Sequence, residues 1–344
     1  MDLKLAFSGF GNVARAFVRM ITARETELAN TLDLRWKATA IATARHGCIT
    51  ATDGIDVVKA AAYIERGDNL AEMPGAIAAP DPLTLIQSCN AEILFETTTL
   101  NIEDGEPAVT HIRSALARGI HVITANKGPI AFAYAELKSL AREHGVGFRF
   151  EGTVMDGTPV FNLVEFCLPG ARVLGFSGVL NSTTNLILTG MESGRSFEES
   201  LEEARRRGIA EANAGYDIDG WDAAVKTVAL ANVLMNADAR PTDVVREGIS
   251  KIKTEDLESA AQSGMAVRLI SRGRRIGKHV KLSVAPERVP LSSALGSVRG
   301  TSNVLVLETD LMGEIAIVEN DPGIQQTAYA LLSDLLTIHE DLLV

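Results

Sequence analysis

The chain has 344 residues, of which 46% are hydrophobic, and its formal net charge is −11 at pH 7. This length allows two domains with buried cores and excludes a disordered chain, while the acidic balance argues against nucleic acid as a partner. The chain has no signal peptide, no apolar run of about 18 residues and no paired cysteine motif, which predicts a cytoplasmic protein without a membrane span whose three cysteines are reduced.

Short apolar strands alternate with amphipathic helices over the first 150 residues. The pattern predicts strands at 3–8, 36–44, 93–95, 121–124 and 147–150, with helices at 12–30, 55–64, 107–118 and 131–144. Such alternation is typical of an α/β fold with a doubly wound parallel sheet. We therefore predict a Rossmann-type domain over residues 1–150.

The pattern changes near residue 151. It predicts a strand at 173–179, helices at 185–191, 197–207 and 220–236, a strand-rich region at 280–318 and a final helix at 325–338. We predict a second α+β domain over residues 151–319, with the C-terminal segment 320–344 packing back on the first domain. Basic clusters at 205–207 and 268–281 are expected to be solvated surfaces.

A glycine fingerprint follows the first predicted strand. The sequence Gly9-Phe10-Gly11-Asn12-Val13-Ala14 matches G-x-G-x-x-G/A between a strand and a helix, which is the context that dinucleotide binding requires. Gly9 permits the tight turn, Gly11 lets the backbone approach the pyrophosphate, and the helix N-terminus faces its charge. We therefore predict a dinucleotide cofactor at this turn.

The end of the second predicted strand bears on the choice of cofactor. An acidic residue there would hold the ribose hydroxyls of NAD, but the chain reads Thr43-Ala44-Arg45-His46. Arg45 could pair with a 2′-phosphate, with Lys59 assisting, although a solvated surface arginine is the alternative. We favour NADP over NAD.

Further segments share their order and spacing with one known family. They are Thr-Ala-Asn-Lys at 124–127, the segment 151–160, Gly-Val-Leu-Asn-Ser-Thr-Thr-Asn at 178–185, and Glu211 followed by 219–226. Together with the fingerprint they resemble the homoserine dehydrogenase family from residue 9 to residue 226. The resemblance implies interconversion of L-homoserine and L-aspartate 4-semialdehyde, on the biosynthetic route to threonine and methionine. It also implies a homodimer formed through the sheet of the second domain.

Hydride transfer between an alcohol and an aldehyde needs a proton donor at the oxygen. The six histidines are scattered outside any motif, which leaves lysine. Lys127 follows a predicted strand end, and Lys226 stands four residues after Asp222 on one predicted helix face, where the carboxylate would fix the ammonium. Exposed solubilising charges are the alternative interpretation, and the resemblance favours a catalytic role for both lysines.

The resemblance implies further site residues. The substrate would contact the polar side chains of Thr183, Glu211, Asp217 and Asp222. The cofactor would contact Gly9, Phe10, Gly11, Asn12, Val13, Arg45, Thr97, Thr98, Lys127 and Gly323. Oxygen atoms of Glu151, Val154, Asp156 and Thr158 would bind a monovalent cation such as Na⁺. Plain turns are the alternative for the segments 96–99 and 151–160.

Some positions depart from the family pattern. Ile209 stands where the family has tyrosine, Asp156 stands at a central glycine, and Glu319 to Pro322 replace a glycine-rich loop that approaches cofactor and substrate. These changes leave two alternatives to homoserine dehydrogenase. One is a sibling dehydrogenase for another small hydroxy acid or semialdehyde, and the other is a nucleotide-binding regulatory protein without activity. We do not expect feedback control through an ACT-type module.

Overall fold

A computed structural model of the chain describes residues 2–210 and 214–343. The chain divides into two units, which are described separately here. Unit 1 comprises Met1–Pro129, Ala133–Gly157 and Gly323–Val344, and unit 2 comprises Ile130–Phe132 and Thr158–Pro322. No helix in the described ranges combines the length and apolarity needed to cross a membrane. All three cysteines are free thiols, and only Cys167 is exposed.

Unit 1 is built on a seven-stranded sheet within the described residues. Its strands are β1 (Leu3–Ser8), β2 (Trp36–Ala42), β3 (Cys48–Ile55), β4 (Ile77–Ala79), β5 (Ile93–Glu96), β6 (His121–Thr124) and β7 (Phe148–Arg149). The intervening helices are α1 (Asn12–Ala23), α2 (Glu25–Thr31), α3 (Val57–Arg66), α4 (Pro82–Ser88), α5 (Ala108–Ala117), α6 (Lys127–Phe132) and α7 (Tyr134–Glu143). The predicted helix at 12–30 is thus divided at Arg24.

The strand order is β4-β3-β2-β1-β5-β6-β7. The strands from β2 to β7 in this order pair in parallel, which confirms the predicted Rossmann-type sheet. Two strands that were not predicted complete the sheet on the other side, where β3 pairs antiparallel with both β2 and β4. Gly47, with φ +81°, lies in a tight turn in which Thr43 N donates to Gly47 O at 3.1 Å, and this turn sends β3 back beside β2.

Aromatic side chains fill the centre of this unit. The rings of Phe7 and Phe95 stack with centroids 5.1 Å apart, and Phe17 from α1 lies 4.6 Å from Phe95. All three side chains are fully buried. Burial of such large apolar surfaces stabilises the strand ends on which the predicted cofactor turn depends.

Unit 2 contains a six-stranded sheet within the described residues, in the order β13-β12-β8-β10-β11-β9. Its strands are β8 (Val173–Val179), β9 (Val245–Arg246), β10 (Met265–Ile276), β11 (His279–Pro290), β12 (Asn303–Thr309) and β13 (Gly313–Glu319). Its helices are α8 (Ser182–Glu192), α9 (Phe197–Arg206), α10 (Gly215–Ile218), α11 (Trp221–Met235), α12 (Thr254–Gln262) and α13 (Ala294–Ser297). The predicted second α+β domain is confirmed in its fold class.

The strand β10 was not predicted, because its basic residues suggested a solvated surface. That expectation was wrong for Arg268, which is fully buried. Its guanidinium pairs with Glu192 at the end of α8, and Nε donates to the carbonyl of Val298 at 3.2 Å. Arg299 also pairs with Glu192, at 3.0 Å. A buried charge is tolerated only when it is paired and hydrogen-bonded, and Arg268 meets both conditions.

The last helix, α14 (Ile324–Leu343), returns to unit 1. It contacts α1 and the 3₁₀ turn Glu151–Thr153, and it contributes Ala328, Leu331 and Leu335 to the core that contains Phe7. The contact is close, since a Cβ on Gly152 would lie 3.2 Å from Ala330 Cβ. Small residues therefore let the helix approach the 3₁₀ turn closely.

Candidate active site

Four strands of unit 1 end at the same level of the sheet. In register, Ser8 pairs with both Ala42 and Glu96, and Glu96 pairs with Thr124. The loops that follow β1, β2, β5 and β6 therefore gather at one edge. In parallel sheets this carboxyl edge is where ligands bind.

Gly9 is required at this edge by both its conformation and its surroundings. Its φ is +84°, and a Cβ there would lie 2.6 Å from the backbone of Thr97 and 2.7 Å from the amide of Thr98. Thr97 Oγ1 donates to Gly9 O at 2.8 Å. A side chain at position 9 would therefore strain the turn and displace the loop after β5.

The start of α1 is open toward solvent. Gly11 is exposed, a Cβ there would meet nothing within 4 Å, and no described side chain caps the helix. Arg15 lies behind this turn, with Nη2 donating to Asn12 Oδ1 at 2.7 Å and Nη1 to Phe10 O at 3.3 Å. Open amides at a helix N-terminus beside a guanidinium fit a dinucleotide pyrophosphate. The sequence analysis missed Arg15, although its position one turn into the helix could have indicated it.

The other fingerprint side chains have structural roles. The Phe10 ring is buried against Phe7, with ring centroids 5.3 Å apart, and Val13 packs on the same core. Phe10 can therefore contact a ligand only through its backbone, whereas the half-buried Val13 keeps part of its side chain accessible. Asn12 is exposed, and its side chain contacts Arg15.

Arg45 lies in the turn that follows β2, and its side chain is exposed. The turn is fixed by Thr43 Oγ1, which donates to Gly47 O at 2.9 Å and accepts from His46 N at 2.8 Å. Lys59 lies on α3 and pairs with Asp56 at 3.2 Å. Of the two cations, Arg45 is therefore the one at the carboxyl edge of the sheet.

A buried carboxylate organises the loop after β5. Glu96 is fully buried and accepts hydrogen bonds from the Thr98 hydroxyl, from Thr98 N at 3.2 Å and from Thr124 Oγ1 at 3.3 Å. His111 Nδ1 lies 3.8 Å from Glu96 Oε1 and 3.0 Å from Ser8 Oγ. A buried carboxylate without hydrogen bonds costs several kcal/mol, which is comparable to the whole free energy of unfolding of a small domain. The contacts of Glu96 must therefore be kept on folding, and those to Thr98 fix the Thr97–Thr98 backbone.

Lys127 is the first residue of α6 and is half-buried. Asn126 caps this helix, because its Oδ1 accepts from Gly128 N at 3.0 Å. Its Nδ2 donates to Thr98 O at 3.2 Å, and its backbone N donates to Thr124 Oγ1 at 2.9 Å. The backbone beside Lys127 is therefore tied to the ends of both β5 and β6.

A second polar cluster lies in unit 2, at the junction of β8 and α8. Asn181 Nδ2 donates to Asp217 Oδ1 at 2.7 Å and to Asp222 Oδ2 at 3.0 Å. The two carboxylates come from α10 and α11, and both are half-buried. Two predicted substrate contacts are thus brought together by a residue that the sequence analysis did not select.

Lys226 lies on α11 and is half-buried. Its Nζ donates to the carbonyl oxygen of Leu180 at 2.8 Å. The expectation that the Asp222 carboxylate fixes this ammonium is therefore corrected, because the Leu180 carbonyl holds it while Asp222 accepts from Asn181. The partner lies 46 residues away in sequence, so spacing along the helix could not have indicated it.

The remaining predicted substrate residues are Thr183 and Glu211. Thr183 is buried in the first turn of α8, and its Oγ1 donates to Ile209 O at 3.3 Å. Ile209 packs in an apolar cluster with Leu186 and Ala204, so its side chain contributes packing where the family has tyrosine. Glu211 lies outside the described residues.

Hydrogen bonds within each unit hold the residues of the predicted cation segment. In unit 1, Glu151 N donates to Asp334 Oδ2 at 2.9 Å, and Asp156, at φ +45°, accepts from Thr327 Oγ1 at 2.7 Å. Val154, which lies between these two residues in sequence, is also buried. Thr158 belongs to unit 2. No cluster of three His, Cys, Asp or Glu side chains suited to a metal occurs in the described part of the chain, so a cation would depend on other oxygen ligands.

The loop that departs from the family pattern is directed into unit 2. Glu319 is buried, and its carboxylate accepts from Thr158 Oγ1 at 3.1 Å and from Asn303 Nδ2 at 3.0 Å. Asp321 accepts from Thr301 at 3.0 Å. The hydrogen bonds to Glu319 offset the cost of burying its carboxylate. Gly323, the predicted cofactor contact, is exposed just before α14.

Family models match both halves of the chain. A model described as "Homoserine dehydrogenase, NAD binding domain" matches residues 9–151, which contain the glycine turn and Lys127. A model described as "Homoserine dehydrogenase" matches residues 159–336, which contain Asn181 and Lys226. The boundary between the matches falls close to the boundary between the two units.

Comparison with individual proteins also shows similarity to homoserine dehydrogenases. The chain is 36% identical to the NAD(+)-dependent homoserine dehydrogenase of Pseudomonas canavaninivorans, over 98% of this chain and 97% of that protein. It is 38% identical to a homoserine dehydrogenase of Methanocaldococcus jannaschii, over 96% of this chain and 97% of that protein. A hyperthermophilic archaeal homoserine dehydrogenase solved in complex with NADPH has a TM-score of 0.83 at 28% identity, covering 99% of this chain and 98% of that one.

Proposed function

The chain belongs to the homoserine dehydrogenase family, and we propose how its residues carry out that family's reaction. It is an NAD(P)-dependent oxidoreductase that interconverts L-homoserine and L-aspartate 4-semialdehyde, a step of amino-acid biosynthesis. The observation that carries the mechanism is the fixed placement of two lysines, Lys127 at the end of β6 and Lys226 against Leu180 O.

The glycine turn and the start of α1 hold the cofactor. The open amides after Gly9 and the guanidinium of Arg15 bind the pyrophosphate, while the Thr97–Thr98 loop and Gly323 contact the cofactor through their backbone. Arg45 favours NADP by pairing with its 2′-phosphate. When bound, NAD(P) exchanges a hydride with the carbon that carries the reacting oxygen.

The two lysines handle the proton and the charge on that oxygen. In the direction of reduction, a lysine ammonium donates a proton to the oxygen and stabilises the developing alkoxide. In the direction of oxidation the same side chain must be neutral in order to accept the proton, so oxidation becomes faster as the pH rises. The cap at Asn126 holds the backbone of Lys127, and the carbonyl of Leu180 holds the ammonium of Lys226.

The carboxylates of unit 2 bind the substrate. Asp217 and Asp222 attract its α-ammonium, and Thr183 and Glu211 complete the contacts. We also propose that a monovalent cation is bound by oxygen atoms of the segment 151–158, and that the protein is a cytoplasmic homodimer. These last features rest on the family resemblance.

The test is to replace each lysine and to measure turnover and cofactor affinity together. We expect Lys127→Ala and Lys226→Ala each to lower kcat by at least about 100-fold, the usual scale of lost acid–base catalysis. The dissociation constant of the cofactor should change much less, because the pyrophosphate is held at the glycine turn. Lys251→Ala is the control, since that side chain is 83% exposed and pairs only loosely with Glu247.

Near-parental turnover in either lysine variant would remove that residue from the mechanism. A parent protein that binds the cofactor but has no turnover with either substrate would instead support the alternative of a regulatory protein without activity.

A further inference from the structure

The β8–α8 junction contacts three charged side chains at once. Leu180 O accepts from Lys226 Nζ, and Asn181 Nδ2 donates to Asp217 and to Asp222. We propose that Asn181 is a positioning residue for the reaction, because its amide sets the separation of the two carboxylates that bind the substrate ammonium. This inference rests on the proposed function and assigns a role to a side chain outside the predicted site.

The orientation of the amide is fixed by a helix cap. Asn181 Oδ1 accepts from Thr184 N at 2.8 Å and from Thr184 Oγ1 at 2.9 Å. A backbone N–H can only donate, so the atom facing it must be the oxygen, and the NH₂ group must face the carboxylates. The side chain is only 4% exposed, so solvent does not compete for either contact.

The charges explain why an amide is needed at this place. Two carboxylates that converge on one atom repel each other, and a donor between them offsets that repulsion. An uncharged NH₂ group has two protons and can serve both carboxylates without neutralising either. The two carboxyl groups are thus held close together, which is the arrangement that attracts an alkylammonium group.

Substitutions at position 181 can separate the two contacts that Asn181 makes. Serine keeps an oxygen for the helix cap but has no group that can reach both carboxylates. Aspartate is as good a cap as asparagine, yet it replaces the donor by a third carboxylate. If capping were the only role, Asn181→Asp would be the mildest change, whereas a positioning role makes it the more severe one.

The experiment measures KM and kcat for L-homoserine and KM for the cofactor. We expect Asn181→Ser to raise KM for L-homoserine about tenfold or more, on the scale of one lost hydrogen bond to a charged group, and Asn181→Asp to raise it further. The decrease in kcat should be smaller, and KM for the cofactor should be unchanged. Ser196→Ala is the matched control, since it removes the cap of α9, where Ser196 Oγ accepts from Glu199 N at 3.1 Å.

A double variant supplies a second readout. If Asn181 acts through Asp222, then the effects of Asn181→Ser and Asp222→Asn on KM should be clearly less than additive. Parental KM for L-homoserine in a folded Asn181→Asp variant, or additive effects in the double variant, would overturn the inference. The proposed function is tested separately, by the activity of the parent protein with L-homoserine.

Discussion

Arg45 carries the choice between the two nicotinamide cofactors. It is exposed directly after β2, where an acidic residue would hold the ribose of NAD. We expect NADPH to bind more tightly than NADH, and we expect Arg45→Asp to reverse this order by roughly 1–3 kcal/mol, the worth of one charge-assisted contact. The measurement is a titration of each reduced cofactor, with Arg113→Ala as a control on the distant α5. Equal affinities in the parent protein would reject this role.

Single-residue roles were predictable only where the backbone itself sets the requirement. Gly9 could be assigned because a tight turn excludes a side chain, and the geometry there agrees with that reasoning. At Gly11 a Cβ would meet nothing within 4 Å, so a need for glycine at that position depends on the approach of the cofactor. The roles of Asn181 and Leu180 could not be assigned, because their partners lie 36 to 46 residues away and meet them only through tertiary packing. The sequence gives only a weak indication of the role of Glu96, namely that a carboxylate ends an apolar strand.

At the scale of elements, we expect the junction of β6 and β7 to be sensitive to pH. His121 starts β6, and its Nδ1 accepts from Gly147 N at 2.9 Å just before β7. Burial lowers the pKa of His121, although Asp341 and Glu92 partly oppose that effect. Protonation therefore favours the unfolded chain, so stability present above pH 6.5, the ordinary pKa of histidine, should be lost as the pH falls.

The measurement is urea unfolding of the parent protein and of His121→Asn between pH 7.5 and pH 5.5, a range of about one unit around the ordinary pKa. Asparagine keeps an acceptor for Gly147 N and does not titrate, so the variant should lose less stability than the parent on acidification. His144→Asn is the control, because that ring is exposed after α7. Identical pH dependence in the parent and in His121→Asn would contradict the assignment.

Elements with clear periodicity were predicted within a few residues, as the bounds of β1, β8 and α11 show. Those that failed carry polar residues in places where tertiary contacts compensate. β3 has exposed Thr52 and Asp53 in the part of the strand that does not pair with β4, and β10 buries Arg268 against Glu192. Neither compensation is visible in a local window of sequence, because β-strand formation depends strongly on the neighbouring strands.

For the whole molecule, the family match indicates the reaction, and the structure shows how the chain accommodates its departures from the family pattern. The chain matches homoserine dehydrogenases over nearly its full length, and its departures from the family pattern are absorbed by local packing. Glu319 is held by Thr158 and Asn303, and Ile209 packs in an apolar cluster. The reaction could therefore be predicted from sequence motifs, whereas the accommodation of these substitutions required the structure.

The most direct test of the central claim is a comparison of kcat/KM across small hydroxy acids, followed through the absorbance of the reduced cofactor. L-Homoserine should exceed L-serine, L-threonine and 4-hydroxybutyrate by at least about 100-fold, since buried polar groups left unpaired by a wrong substrate are heavily penalised. L-Aspartate 4-semialdehyde should be reduced in the reverse direction. A higher kcat/KM for another member of the set, or no turnover with either L-homoserine or L-aspartate 4-semialdehyde, would contradict the account.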